Sequence, residues 1–332
     1  MQPRILTTVV GSYPVPDWLS ALPSEHALID ATKVVLKTQE LAGIDVVADG
    51  ELYRFDVNHP DTNGMIDYFV RPLGGVRSQV GLEDTDAFSR LPEMQWRAKP
   101  AGVVEQAITP GTLDLVTPFQ RARMLTSSRL KFTLTGPHML SRTLLDRHYN
   151  QPADLAMALA RVLASQVERI EADIIQVDEA NITGHPEDAD WAAPAINQVL
   201  NAIRGQKAVH LCFGNYGGQT IQKGAWSRLI DFMNRLHADH FVLEMARRDP
   251  GEVALLRQLD SRFKIGLGVI DIKTTLVETP SEVARRIEHA EKILGEGRVQ
   301  YVHPDCGFWM LKRSVADRKM QSLVAGRNEY LS

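Results

Sequence analysis

The chain has 332 residues, of which 44% are hydrophobic and 23% charged; it can bury a large core, as one barrel-sized domain or as two smaller ones. Its formal net charge of −4 argues against bulk binding to nucleic acid or an anionic membrane, and no apolar run reaches the length of a membrane span. Two cysteines make no disulfide framework and the first residues lack a signal-peptide layout, so the reducing cytoplasm is the expected compartment.

Residues 6–11 are rich in β-branched side chains and stop at Gly11-Ser12-Tyr13-Pro14, which predicts a strand feeding a tight turn. Residues 24–42 carry helical periodicity through Leu28, Ala31, Val34, Val35, Thr38 and Leu41, with Ser24 as N-cap and Gly43 just past the end. An apolar strand over 44–51 ends in acids, Asp49 and Glu51. Residues 52–94 are irregular and rich in Gly, Asp, Pro and aromatics, and a long loop in a compact enzyme is more often functional than idle. Strands are predicted at 103–108 and 131–137, with a short helix at 118–127 between them and a long amphipathic helix at 152–171 after them.

From there the pattern alternates regularly. Strands at 173–179, 208–213, 240–244, 264–270 and 299–303 are each followed by a predicted helix, at 190–204, 225–236, 250–260, 280–294 and 312–328. Strand–helix repetition with short connections means parallel strands with helices outside. Counting eight strands from Val46 onward, with 6–11 as a ninth, favours an α/β fold of the (β/α)8 TIM-barrel type with an N-terminal extension, residues 1–332 forming a single domain. The chemistry-bearing residues then cluster at strand C-termini, around the mouth where such barrels keep their active sites.

The most informative stretch is His210-Leu211-Cys212. Side chains at i and i+2 leave a strand on the same face, so an imidazole and a thiol point at one spot. Cys306, the other cysteine, follows a later strand, and Glu244 ends an otherwise apolar one. Singly, each cysteine reads as a small core residue and His210 as a satisfied core histidine. As a set at separate strand ends they suit zinc, with Glu244 as fourth ligand, and the absence of CxxC knuckles suits an exchangeable position. Asp49, Glu51, Asp178 and Glu179 end apolar strands and need a cation, a metal, a substrate amine, or pairing with Arg54, Arg97 or Arg169. Gly11-Ser12 either offers a hydroxyl and backbone N–H groups to a carboxylate or is a plain turn. Gly266-x-Gly268 lacks the spacing of a dinucleotide loop.

Taken in order, residues 7–14 (TTVVGSYP), Asp49-Gly50-Glu51, Leu134-Thr135-Gly136-Pro137, Ile175-Gln176-Val177-Asp178-Glu179, His210-x-Cys212, Glu244 and Pro304-Asp305-Cys306-Gly307 resemble the catalytic half of cobalamin-independent methionine synthase. The resemblance covers nearly the whole chain. It implies a TIM barrel, zinc held by His210, Cys212, Glu244 and Cys306, a homocysteine amino group met by Glu51 and Asp178, and its carboxylate held near Ser12. It implies a short member without the family's large N-terminal half. Three positions depart from the family pattern: Thr143 stands where the family stacks a pterin on tryptophan, Gly184 stands for an acid near the pterin, and Lys273 stands for a proton-donating histidine. The expected activity is zinc-dependent methyl transfer to homocysteine. The donor is expected to be other than polyglutamyl folate: a corrinoid protein, methylcobalamin or a simpler folate. Lys273 is the candidate catalytic replacement, and the 52–94 region with Trp96 is the expected site of donor recognition. The alternatives are zinc-activated alkyl transfer involving another thiol such as coenzyme M, and a non-catalytic zinc- or corrinoid-binding barrel.

Overall fold

The structure, a computed structural model, describes residues 5–56, 63–91, 97–215, 220 and 222–332. Its strands in chain order are β1 (Leu6–Thr7), β2 (Val46–Ala48), β3 (Gly74–Arg77), β4 (Val103–Thr109), β5 (Arg129–Thr135), β6 (Leu145–Asp146), β7 (Ile174–Asp178), β8 (Gln206–Leu211), β9 (His240–Leu243), β10 (Lys264–Ile270) and β11 (Val299–Pro304). Eight of these form one parallel sheet in the order β1-β11-β10-β9-β8-β7-β5-β2. A parallel bridge from Thr8 to Val46 joins its two ends, so the sheet closes into a barrel.

The (β/α)8 barrel is the fold expected from the alternation, but two strands change places. Residues 6–7 are a barrel strand in their own right, paired with β11. The stretch 103–108 is not in the barrel: β4 pairs antiparallel with β3 and parallel with β6 in a separate three-stranded sheet. Only its first two residues are fully buried, whereas β7 is buried along its whole length. β-branched composition marks both as strands without saying which sheet takes them.

The helix Glu25–Ala42 starts and stops where its caps require. Ser24 Oγ accepts the Ala27 N–H at 3.1 Å, and Gly43 takes the left-handed conformation at φ 86°. Ala31 and Val35 face the core, while Leu41, expected on the same side, is 77% exposed. Helices Pro152–Val167, Ala189–Ala202, Pro280–Leu294 and Arg313–Leu331 match their expected positions to within a few residues. The stretches 225–236 and 250–260 are less regular than expected: the first is a 3-10 turn, Trp226–Arg228, then a short helix, Ile230–Asn234, and the second is 3-10 over Pro250–Gln258. The irregular 52–94 region holds helices Asp67–Val70 and Leu82–Ser89 together with β3.

Register positions the site. Asp178 on β7 lies beside His210 on β8, which lies beside Val242 on β9. Gly266 is explained by packing inside the barrel, not by a nucleotide: a Cβ there would lie 2.9 Å from His303 Nε2 and 2.8 Å from the Phe241 carbonyl.

Candidate metal and amino-acid site

His210 sits near the C-terminal end of β8 and is 1% exposed. Its Nδ1 lies 2.9 Å from the Val242 carbonyl oxygen, which can only accept, so Nδ1 carries a proton and Nε2 is the ring nitrogen left for other partners. That Nε2 makes no hydrogen bond of ordinary geometry and has the Cys306 sulfur beside it. Cys212 follows two residues later, and Cys306 lies just beyond β11. One ligand atom from each of His210, Cys212 and Cys306 lies within 4.8 Å of the others. A buried imidazole nitrogen without a well-formed hydrogen bond beside two thiols is costly unless something soft and electrophilic takes it, and two sulfurs with one imidazole nitrogen suit zinc. The residues present therefore fit the metal that the resemblance implies.

The two thiols are unequal. The hydrogen bond from Cys212 holds the Cys306 thiol well below its ordinary value against the effect of burial, with further help from His210. Its hydrogen bond to Cys306, together with burial, pushes Cys212 well above. Burial opposes charge on His210, but Cys306 and Asp178 outweigh it and raise its value.

Glu244, the expected fourth ligand, does not join this cluster. It follows β9 and is 1% exposed, but Oε1 accepts from Lys273 Nζ at 2.6 Å and Oε2 accepts the Phe213 N–H at 2.9 Å. Lys273, named as a possible catalytic group, is thus the partner of Glu244 in an ion pair whose two side chains are each 2% exposed. The chain just after Glu244 is held as well: Asp305 Oδ1 accepts the N–H groups of Met245 and Ala246, and burial pushes its carboxyl up to about 7.

The predicted amino-acid side is assembled next to the thiols. Ser12, Glu51, Asp178, His210, Cys212 and Cys306 all line one solvent-open cavity. Ser12 belongs to the turn after β1, and its carbonyl accepts the Phe308 N–H at 2.8 Å, tying that turn to the Cys306 loop. Glu51 adopts φ 59°, an unusual conformation for a residue with a side chain. Thr133 Oγ1 donates to its Oε1 at 2.6 Å, and Arg54 Nη1 lies 3.0 Å from its Oε2. Asp49 stays below it, accepting the Glu51 N–H, with burial pushing its carboxyl up to about 6. Asp178 accepts Gln176 Nε2 at 2.7 Å, and burial pushes its carboxyl up to about 7.

Asp178 and Glu179 part company, as adjacent residues at a strand end do. Glu179 is fully buried and accepts the N–H groups of His138 and Met139 at the start of helix Pro137–Arg142. It neutralises that helix end and does not line the cavity. Thr133 was missed from the sequence, although its place two residues before Thr135 on β5 puts it on the inward face. Trp96 lies outside the described residues.

A parallel barrel with two thiols, an imidazole and two carboxylates converging at its C-terminal mouth defines a barrel enzyme. Residues 5–327 match the catalytic domain of the cobalamin-independent synthase. The chain is 30% identical over 341 residues to a methionine synthase from Sulfurisphaera tokodaii, covering 98% of this chain and 92% of that one. It is 28% identical to a methionine synthase from Thermococcus kodakarensis, with 98% and 93% covered. Its fold is that of a B12-independent methionine synthase from Shewanella sp. W3-18-1, with a TM-score of 0.81 at 24% identity, covering 98% of this chain and 97% of that one. The chain belongs to the cobalamin-independent methionine synthase family, a family of methyltransferases.

Proposed function

We propose that the chain, acting as one domain over residues 1–332, transfers a methyl group to the thiol of homocysteine to give methionine, with zinc as its metal. The observation that carries this is the shared cavity: His210 and two thiols, grouped within 4.8 Å of one another, face the same space as Glu51, Asp178 and Ser12. His210, Cys212 and Cys306 would hold the metal, with the fourth position left to substrate or to Glu244 once Lys273 releases it. Zinc bound there would supply a Lewis acid that favours the thiolate form of an incoming thiol, which is the nucleophilic form. Glu51 and Asp178 receive the substrate ammonium, and their own protonation is discouraged once it arrives. The Ser12 turn receives the carboxylate. Held at three points, the amino acid presents its sulfur in one direction, and positioning of this kind is the protein's main contribution to an in-line displacement.

These carboxylates favour an amino-thiol over coenzyme M, which has no ammonium to offer them. In Asp178→Asn, affinity for homocysteine is expected to fall about tenfold, while 4-mercaptobutyrate, the same molecule without its amino group, binds as before. Titration calorimetry on the metal-loaded protein reads both, and equal affinity changes for the two thiols would count against the assignment.

For the donor we propose a methyl carrier other than polyglutamyl folate, either a simpler folate or a corrinoid, free or protein-bound. Thr143 is fully buried and donates to the Leu140 carbonyl, so it offers no stacking platform. The space a side chain at Gly184 would enter is filled by the Gln222 amide. Neutral amides, Asn181 and Gln222, line the cavity instead, and Trp309, 46% exposed, supplies an aromatic rim. Incubating the purified protein with homocysteine and methylcobalamin, a methylated corrinoid protein, or mono- and polyglutamyl methyl-folate decides this. Methionine is expected from at least one donor other than the polyglutamate; none from any donor, with zinc and homocysteine both bound, would sink the proposed reaction. The two cysteines are free and suit a reducing compartment, and we place the protein in the cytoplasm.

A further inference from the structure

Below the cavity the barrel interior holds a lysine that the proposed chemistry does not use. Lys131 on β5 is 1% exposed, and among the described residues no carboxylate lies in ion-pair contact with its Nζ. Burying an ammonium in this way is costly, and an apolar side chain would pack there at no such cost. Burial pushes Lys131 down to about 7, against the pull of Asp178 and Glu51. Its two imidazole neighbours, His240 and His303, are pushed down to about 3, chiefly by burial, and stay neutral. Lys131 Nζ donates to Gln176 Oε1 at 2.9 Å. Gln176, fully buried on β7, donates from Nε2 to the Val10 carbonyl at 3.0 Å and to Asp178 Oδ1 at 2.7 Å. Gln176 and Asp178 are two residues apart and share the inward face of the strand.

The orientation of that amide is determined by its partners. The Val10 carbonyl can only accept, and the lysine, protonated or not, offers an N–H. A flipped amide would set carbonyl against carbonyl at Val10, carbonyl oxygen against carboxylate at Asp178, and N–H against the ammonium form of Lys131. We infer that Lys131 and Gln176 are positioning residues that hold the Asp178 carboxylate in place for the ammonium group of the substrate, an inference that rests on the proposed reading of Asp178. Neither touches the substrate. Lys131 turns Gln176, and Gln176 fixes one carboxylate oxygen so that the other is left for the ligand.

The test compares homocysteine with 4-mercaptobutyrate by titration calorimetry on metal-loaded wild type, Lys131→Met and the double variant Lys131→Met/Gln176→Met. The double variant replaces both buried partners with apolar groups of similar length, so it keeps a folded core where the single one leaves an unpaired amide. Homocysteine affinity is expected to fall about tenfold in both variants, with 4-mercaptobutyrate within about twofold of wild type. Equal weakening of both thiols, or an unchanged preference for homocysteine, overturns the inference while leaving the Asp178 reading intact. A wild type that does not distinguish the two thiols overturns the ammonium reading itself, and this inference with it.

Discussion

Replacing Cys306 with alanine is expected to remove most of the bound zinc and to lower methyl transfer by at least about a hundredfold. Elemental analysis of the purified variant reads the first effect, and methionine formation at saturating homocysteine reads the second. The size follows from the donor set. His210, Cys212 and Cys306 are the three donors already grouped within 4.8 Å of one another, so losing one removes a third of that preassembled set. Cys306 is also the thiol whose pKa is held down, so its loss removes the more readily ionised of the two sulfurs. Cys212→Ala and His210→Ala should behave alike, since each removes one of three donors. A packing role for Cys306 gives a different result. Cys306 is partly exposed, so its replacement costs little in the metal-free protein, and wild type stripped by chelator should unfold at the same denaturant concentration as Cys306→Ala. The gap between the two should appear only when zinc is present, because a ligand that binds the folded state alone stabilises that state by mass action. A variant that keeps a full equivalent of zinc would show that the three-residue cluster is not the metal site.

The contrast between Glu244 and Cys306 shows what the chain disclosed and what it withheld. A cysteine directly after a strand, with a His-x-Cys on another, is visible in the sequence because strand periodicity fixes where such side chains point. The (β/α)8 alternation is visible for the same reason, and so are the helix limits at Ser24 and Gly43. Pairing between distant residues is not. Glu244 and Lys273 are 29 residues apart on successive strand ends, and nothing local says that the acid spends both oxygens on Lys273 and the Phe213 N–H. Asp178 and Glu179 look alike in the sequence, two acids ending one apolar strand, yet adjacency at a strand end separates them, one to the cavity and one to a helix terminus. The misplaced strand, Val103–Thr109, has the same cause: local composition predicts extended backbone, while the choice of sheet depends on partners far along the chain.

The second large effect is expected at Arg54. Its guanidinium is 5% exposed, 3.0 Å from Glu51 Oε2 through Nη1, and 2.9 Å from Thr133 Oγ1 through Nη2. The Nη1 contact is an ion pair without hydrogen-bond alignment, so its strength is electrostatic. The faces of Phe69 and Tyr53 lie 5.0 and 5.4 Å from the guanidinium carbon and cover it from water. Burial works against the charge, yet Glu51, Tyr53 and Asp49 raise its pKa above the ordinary arginine range. Arg54→Met leaves Glu51 buried and unpaired beside Asp49, and breaking a buried pair from one side typically costs about 3–5 kcal/mol. Denaturant unfolding of the metal-free protein should show a loss of that order. Glu51→Gln alone should cost less, since its amide still accepts from Thr133. Arg54→Met/Glu51→Gln should recover a large part of the Arg54→Met loss, because no charge is then stranded. If the two losses simply add, the ion pair is not what holds this corner of the cavity. Homocysteine binding separates the roles further. The double variant, although the more stable, should still bind homocysteine weakly, because the carboxylate that meets the ammonium is gone.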